Sequence, residues 1–402
     1  MISPRSLSPL AFVGATFLAA CGSSSASPAT VPAGSAGAAG AAGSSGGAAG
    51  AAGSAGAAQD PTSWTVRTAG PFACGHRELT TTYTPLGGLP ARTIPVHVWY
   101  PSNTATGDHP KYHAAFADTV AFDDVPPAPP AFASGYPVLV HSHGYKGFAG
   151  NSARLMCHLA SHGWLAVAPE HVGNLINDTP AKLPLAIYVQ RPLDVRASLD
   201  LVASLPSGDA LAGKADLGHV GMSGHSFGSY TAWVVGGAAI DGGWMSAQCA
   251  SGEITPCSDA LLAVLKGDLS EPRAKVVMPL AGAPNTEIGA GYDGAKVPVL
   301  QMDGSLNDVG NDVPWGATNK KVDLTWVTVD GGCHQLFGLG NTIYGDAGCA
   351  VLPDEDGFAL VHPWVLAYAR YHVLGDRSAE VSGLVTGATS LSPLVHVKHE
   401  MP

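Results

Sequence analysis

The sequence predicts an α/β protein whose mostly parallel central sheet is covered by helices on both faces. Three observations carry that expectation. From Trp64 onward, short apolar segments alternate with segments of helical spacing, the rhythm of βαβ units. The short segments are near-continuously apolar and rich in β-branched residues, as strands buried on both faces must be. Glycine-rich loops follow several of them, for example Gly144-Tyr145-Lys146-Gly147 and Gly331-Gly332.

Taken in order, Ile94 to Tyr100 has strand character and runs into a turn at Pro101-Ser102-Asn103, and the Pro-rich stretch 125–130 reads as a connection. Tyr136 to His141 is the next expected strand. A helix is expected from Ser152 to His162, stopped by Gly163, then a strand from Trp164 to Pro169. Apolar spacing predicts a helix over Pro192 to Leu205. There follow a strand at His219–Met222, a helix at Phe227–Val235, and strands at Lys275–Leu280, Val297–Met302 and Leu324–Val329. The last long helix is expected at Pro363–Leu374. Ile240 to Pro272 interrupts the rhythm and reads as a lid insertion over 240–272, with Trp244, Met245 and Leu261-Leu262 as its apolar residues.

Ahead of this domain the chain changes character. Arg5 and the apolar stretch Leu7 to Ala20 read as an export signal, too short to span a membrane as an anchor. Leu18-Ala19-Ala20-Cys21 is similar to the lipobox of bacterial lipoproteins, which implies a lipidated Cys21 and a lipid anchor in a bacterial envelope membrane. The alternative is ordinary cleavage near Ala20. Residues 22–62 are dominated by Gly, Ala and Ser. They have nothing large to bury against the entropy of ordering, so they read as a flexible tether. The expected layout is therefore a signal segment over 1–21, a tether over 22–62 and a catalytic domain over 63–402, exported to the cell envelope or secreted.

Charge and cysteines narrow the class. Twenty Lys and Arg against 31 Asp and Glu give a net charge of −11, and the basic residues nowhere cluster beyond Lys320-Lys321. Phosphate binding needs clustered cations, so nucleic acid is not an expected partner. Beyond Cys21, six of the seven cysteines remain, an even number that suits disulfides in an exported protein. Cys249–Cys257 is the favoured pair, and Cys333–Cys349 a second. No cysteine and histidine spacing suggests zinc.

The chemistry is concentrated in three loops, each after an expected strand. Gly224-His225-Ser226-Phe227-Gly228 fits the G-x-S-x-G nucleophile elbow between strand and helix. The sharp turn aims the serine hydroxyl and the N-terminus of the next helix at the reacting carbonyl. Small residues are needed two positions either side to avoid collision. His141-Ser142-His143-Gly144-Tyr145 follows another strand and nominates the amides of Tyr145 and Phe227 as the oxyanion hole. A His141/His143 metal pair is geometrically open but lacks a third nearby ligand. Of sixteen histidines, His334 alone sits in a glycine-rich loop directly after the last expected parallel strand. Asp303-Gly304-Ser305-Leu306-Asn307-Asp308 supplies the acid, with Asp308 preferred to Asp303 and Asp330 third. Ser226, Asp308 and His334 fall in the chain order of α/β-hydrolases.

Several of these pieces together resemble bacterial α/β-hydrolases of the group around platelet-activating-factor acetylhydrolase and the predicted dienelactone hydrolases. The resemblance spans roughly 70–375. It rests on Ser142-His143-Gly144, Leu159-Ala160-Ser161-His162-Gly163, Pro169-Glu170-His171, Arg191-Pro192-Leu193-Asp194-Val195, the serine elbow, and Gly332-Cys333-His334-Gln335-Leu336-Phe337. Cutinases and polyester hydrolases are also similar, through His143-Gly144-Tyr145 and Gly304-Ser305-Leu306-Asn307-Asp308. Where the acetylhydrolases carry their acid, this chain has Leu280-Ala281-Gly282-Ala283-Pro284, so that residue does not transfer. The resemblance implies a serine carboxylic-ester hydrolase acting through an acyl-enzyme, without cofactor or metal, on short-chain, lipid or polyester-type esters. An acyltransferase on the same scaffold and a non-catalytic surface binding protein are the alternatives.

Overall fold

The computed structural model describes residues 60–113, 115–282, 285–307, 312–318, 321–340 and 352–402. The twelve strands among them are β1 (Ala73–Tyr83), β2 (Arg92–Ser102), β3 (Lys111–Tyr112), β4 (Phe116–Ala117), β5 (Phe122–Asp123), β6 (Tyr136–Ser142), β7 (Leu165–Pro169), β8 (Ala215–His225), β9 (Ala274–Leu280), β10 (Val299–Gly304), β11 (Leu324–Val329) and β12 (Val395–Glu400). The helices are α1 (Ala153–Ser161), α2 (Leu185–Ala203), α3 (Phe227–Val235), α4 (Gly242–Ser251), α5 (Asp259–Leu265), α6 (Asp312–Thr318), α7 (Asp354–Val373) and α8 (Ala379–Val385). None is long and apolar enough to cross a membrane.

Ten strands form one sheet in the order β12-β11-β10-β9-β8-β6-β7-β2-β1-β5, while β3 and β4 pair separately. From β7 through β11 neighbouring strands are parallel; β2 joins β7, β1 joins β2 and β12 joins β11 antiparallel. This is the mostly parallel α/β sheet the sequence predicts. The period of two along each strand divides the core: Leu139 packs on one face, Val138 and Val140 on the other. One face is covered by α1, α7 and α8 through residues such as Leu159, Trp364 and Leu384; the other by α2, α3, α4 and α5 through Leu193, Trp233, Met245 and Leu261. After β6 the chain returns to one side of it as β7 and later to the other as β8. The strand order therefore reverses at β6, and a crevice opens beyond the C-terminal ends of β6 and β8.

Some expected boundaries move. Helix α2 begins at Leu185 and α7 at Asp354, so Pro192 and Pro363 lie inside helices instead of opening them. Each proline forfeits a backbone bond, yet both are buried, within runs that include Val189, Leu193, Val361 and Trp364. The first turn of α7 carries Asp354, Glu355 and Asp356 and its last turn Arg370 and His372, which complements the helix dipole. Strand β2 continues through Pro101 and Ser102, paired with Cys74 and Ala73, where a turn is expected. The ordered contacts begin before residue 63: Arg370 donates hydrogen bonds to the carbonyls of Thr62 and Trp64.

Cys249 and Cys257 form a disulfide, joining α4 to the start of α5, and Cys74–Cys157 ties β1 to α1. Cys333 is also disulfide-bonded. Cys349 lies outside the described residues, as do Cys21 and residues 1–59.

Candidate active site

Strand β8 ends at His225 and α3 begins at Phe227, leaving Ser226 alone at the turn with φ 59° and ψ −121°. A non-glycine residue held there is strained. The flanking glycines allow it. A Cβ on Gly224 would collide with the carbonyl of Gly228, and one on Gly228 with the carbonyl of Ser142. The Ser226 amide is anchored to Leu280 O of β9 at 2.9 Å, so both neighbouring strands set the hydroxyl's position.

His334 opens a short 3₁₀ turn after β11, and its Nε2 lies 2.9 Å from Ser226 Oγ. Its Nδ1 lies 3.0 Å from Asn307 Oδ1, an acceptor, so the proton belongs on Nδ1 and Nε2 accepts from the serine hydroxyl. Asn307 in turn donates from Nδ2 to Asp303 Oδ1 at 3.0 Å. Asp303, in β10, is buried. Asp308 lies outside the described residues. Asp330 is engaged elsewhere, 2.7 Å from His396 Nε2 on β12. The two loops are laced by backbone bonds, Ser305 N to Val329 O at 2.9 Å and Leu306 N to Gly332 O at 3.0 Å. A side chain on Gly304 would strike Gly332.

Across the serine, the loop after β6 brings Gly144 so close that a Cβ there would lie 3.0 Å from Ser226 Cβ. Tyr145 and Lys146 follow, the latter with φ 54°. Gly144, Tyr145, Lys146, Asn151, His225, Ser226, His334 and Gln335 enclose a cavity of about 140 Å³. The amide of Phe227 belongs to the first turn of α3, where helix geometry supplies no intrahelical acceptor. None of these lining residues comes from 240–272. That segment forms α4 and α5, and its Met245 and Leu261 are buried in the core with α2.

A buried polar network holds the loop after β6 from beneath. Arg191 of α2 is wholly buried and donates to Ser142 Oγ (2.9 Å), Asn174 Oδ1 (2.7 Å), Thr231 Oγ1 (3.0 Å) and the carbonyl of His143. Its guanidinium stacks 4.6 Å from the Phe227 ring centroid. Burial pulls its pKa down to about 9, against the pull of Asp194. His171 bridges Ser142 Oγ at 2.8 Å and Asp194 Oδ2 at 2.9 Å. Asp194 also accepts from Tyr83 and Arg92. Ser142, at the end of β6, is thus tied through Arg191 and His171 to α2 and, beyond Asp194, to β1 and β2.

The other histidines expected near the site have structural partners. His141 lies between Ser223 Oγ (2.9 Å) and Ser152 Oγ (2.8 Å). His143 donates from Nδ1 to Gly144 O and accepts at Nε2 from the His171 amide. Burial, reinforced by neighbouring cationic groups, pushes both down to about 3, so both are neutral. His141 and His143 are thus engaged by their neighbours in the core. Among the described residues no group of three acidic, His or Cys side chains has metal-holding geometry. Sequence reasoning gave no role to Asn307, His225, Arg191 or Asn151. Asn307 stands in the loop before Asp308, His225 in the serine elbow and Arg191 in the run Arg191–Val195, so three of the four lie in signalled runs without a role being assigned, and Asn151 lies in none.

The sheet order, the elbow at its reversal and the histidine after β11 decide the architecture. The fold is that of the α/β-hydrolases. A ferulic acid esterase from Streptomyces cinnamoneus has a similar structure, with a TM-score of 0.58 over 81% of this chain and 96% of its own, at 18% identity. A family described as chlorophyllase matches residues 124–242, which run from before β6 to the start of α4 and include Ser226. No curated protein is significantly similar to the chain.

Proposed function

We propose that this α/β-hydrolase is a serine carboxylic-ester hydrolase with Ser226 as nucleophile and His334 as general base. The observation that carries the reading is the 2.9 Å contact between Ser226 Oγ and His334 Nε2, made from a strained elbow. The likeness to the ferulic acid esterase and the chlorophyllase match support it. Nε2 removes the hydroxyl proton as Oγ attacks the ester carbonyl. The amides of Tyr145 and Phe227 receive the developing oxyanion. His334 returns the proton to the leaving alcohol, and water, activated by the same Nε2, then releases the acid. In this reading Asp308 orients the imidazole. A second reading has support in the structure: Asp303 acts through Asn307, whose carboxamide links the two.

Export belongs to the same proposal. Disulfides at Cys74–Cys157 and Cys249–Cys257 suit an oxidising compartment, and the lipobox-like run before Cys21 supplies an anchor. The test is hydrolysis of small esters by the wild type, with both products quantified. Ser226→Ala should lower the rate by about 10⁶, as in the subtilisin series. Ester transfer to an added alcohol without free acid would indicate an acyltransferase, and no turnover at all would favour a binding protein.

A further inference from the structure

The cavity at Ser226 is too small for more than the ester group and a few atoms. Beside it lies a second cavity of about 500 Å³, within the range of roughly 300–1,000 Å³ that small-molecule sites occupy. Asn151 stands in the wall of both. The larger cavity is bounded by Phe116, Leu339 and Phe358, with Tyr112 behind. These aromatic walls are braced: Phe116 stacks on Phe148 with centroids 4.6 Å apart, and Phe358 on His362 at 5.0 Å. At the rim Arg154 pairs with Glu355 and lies over the Phe358 ring, while Asp354 and Asp118, which accepts from Tyr112, also line the cavity.

Asn151 supplies an independent observation. It is 7% exposed, and its amide N–H is spent on Phe148 O at 3.0 Å, but its side-chain Oδ1 is buried without a hydrogen-bond partner. Folded proteins rarely leave a buried amide oxygen unpaired, because nothing repays its lost hydration. Its Nδ2 neighbours Gly147 of the oxyanion loop, where a Cβ would come within 3.1 Å. The carboxamide is therefore a partition between the reacting centre and the larger cavity.

We propose that the larger cavity binds the bulkier half of the substrate, a ring-bearing apolar group, and that Asn151 binds the polar atoms next to the ester. Flat braced aromatic walls favour a ring over a flexible chain, and the orphaned Oδ1 favours a substrate with a hydrogen-bond donor at that point. This rests on the ester-hydrolase reading above.

The test compares methyl acetate, methyl 3-(4-hydroxyphenyl)propanoate and 3-(4-hydroxyphenyl)propyl acetate by titration of released acid, so the ring is placed on the acyl or the alcohol side. One ring-bearing ester should exceed methyl acetate in kcat/KM by at least tenfold. Ala117→Trp, on an exposed position that lines the cavity, should cut that ratio at least tenfold; Ala115→Trp replaces it if the first variant does not fold. For the preferred ester bearing an added hydroxyl one carbon from the ester group, which offers Oδ1 a donor, Asn151→Leu should raise KM about tenfold with a smaller change in kcat, and an unchanged KM removes Asn151 from the binding. A ratio that neither tryptophan alters, or no preference for either ring-bearing ester, overturns the subsite while hydrolysis of methyl acetate still supports the enzyme. Loss of hydrolysis of all three in the wild type overturns the ester-hydrolase reading itself.

Discussion

His225 Nε2 donates to the backbone carbonyl of His334 across 2.9 Å, so the residue before the serine holds the histidine that faces it. The rings sit 4.8 Å apart between centroids. Burial, then the neighbouring His334, holds the pKa of His225 well below the usual imidazole range, which keeps its ring neutral. A neutral ring that donates from Nε2 leaves Nδ1 as an acceptor, and that atom has no partner. The hydrogen bond of this ring is thus to the main chain of the proposed general base.

The expected consequence is on positioning. His225→Phe should lower kcat by about 10²-fold, the cost typical of slight misplacement of reacting groups, with a much smaller change in KM. His225→Gln retains an N–H near the same place and should recover most of the loss. Steady-state kinetics on a small ester decide it: equal rates for wild type and His225→Phe would remove the positioning role.

The acid is tested by ranking three variants. If Asp308 orients His334, Asp308→Asn should lower the rate by about 10⁴, the value for the equivalent change in a serine protease. Asp303→Asn and Asn307→Leu should then be milder. If these two together outrank Asp308→Asn, the chain Asp303–Asn307–His334 carries the orientation.

Much of this architecture is legible in the sequence because two signals are local. A strand buried on both faces needs an apolar run, so β6, β7, β9 and β11 declare themselves. The elbow needs small residues where Gly224 and Gly228 meet other backbone, so the motif is a direct record of a collision. The remaining errors share a cause. Pro192 and Pro363 resemble helix starts because proline suits a first turn, whereas burial of the surrounding residues keeps both in helix interiors. In segment 240–272, Met245 and Leu261 pack with α2 while Trp244 and Leu262 lie partly buried against the same cluster. Arg191, Asn151 and His225 gain their contacts from elements far apart in sequence, which no spacing rule records.

Acid sensitivity should centre on Glu170. Burial opposes its ionisation, but hydrogen bonds from His113 and His97 outweigh burial and hold the carboxyl down to about 2. Both imidazoles reach Oε1 at 3.4 Å, the Ala149 amide donates to it at 3.1 Å, and Glu78 flanks His97. Because the folded pKa is depressed, the stabilisation is complete above the ordinary value of 4.5 and is lost as pH falls toward 2. Melting temperatures from pH 7 to 2.5 should therefore decline below about pH 4.5. Glu170→Gln should melt lower at pH 7 and show a shallower decline in that window. Parallel curves for the two proteins would place the acid sensitivity elsewhere.

The sequence on either side of Asp60 gives a final contrast. Residues 22–59 are nearly all Gly, Ala and Ser, with little to bury. Residues 60–70 are different. Val66 is fully buried, His158 Nε2 contacts its carbonyl at 3.1 Å, and His162 Nε2 contacts that of Thr68 at 2.9 Å. Arg370, itself buried and paired with Asp376, donates to the carbonyls of Thr62 and Trp64. Glu380 receives Thr65 Oγ1, the Val66 amide and Arg67 Nε. A chain beginning at Asp60 should match one beginning at residue 22 in melting temperature and ester hydrolysis. One beginning at Phe72 forfeits the burial of Val66, worth about 2 kcal/mol, and leaves Arg370 short of acceptors, which costs about 1–3 kcal/mol more. Chemical denaturation should register that loss as a lower midpoint. Equal midpoints for the two shortened chains would mean that the segment only decorates α1 and α7, and an early loss on removing 22–59 would mean that the tether packs after all.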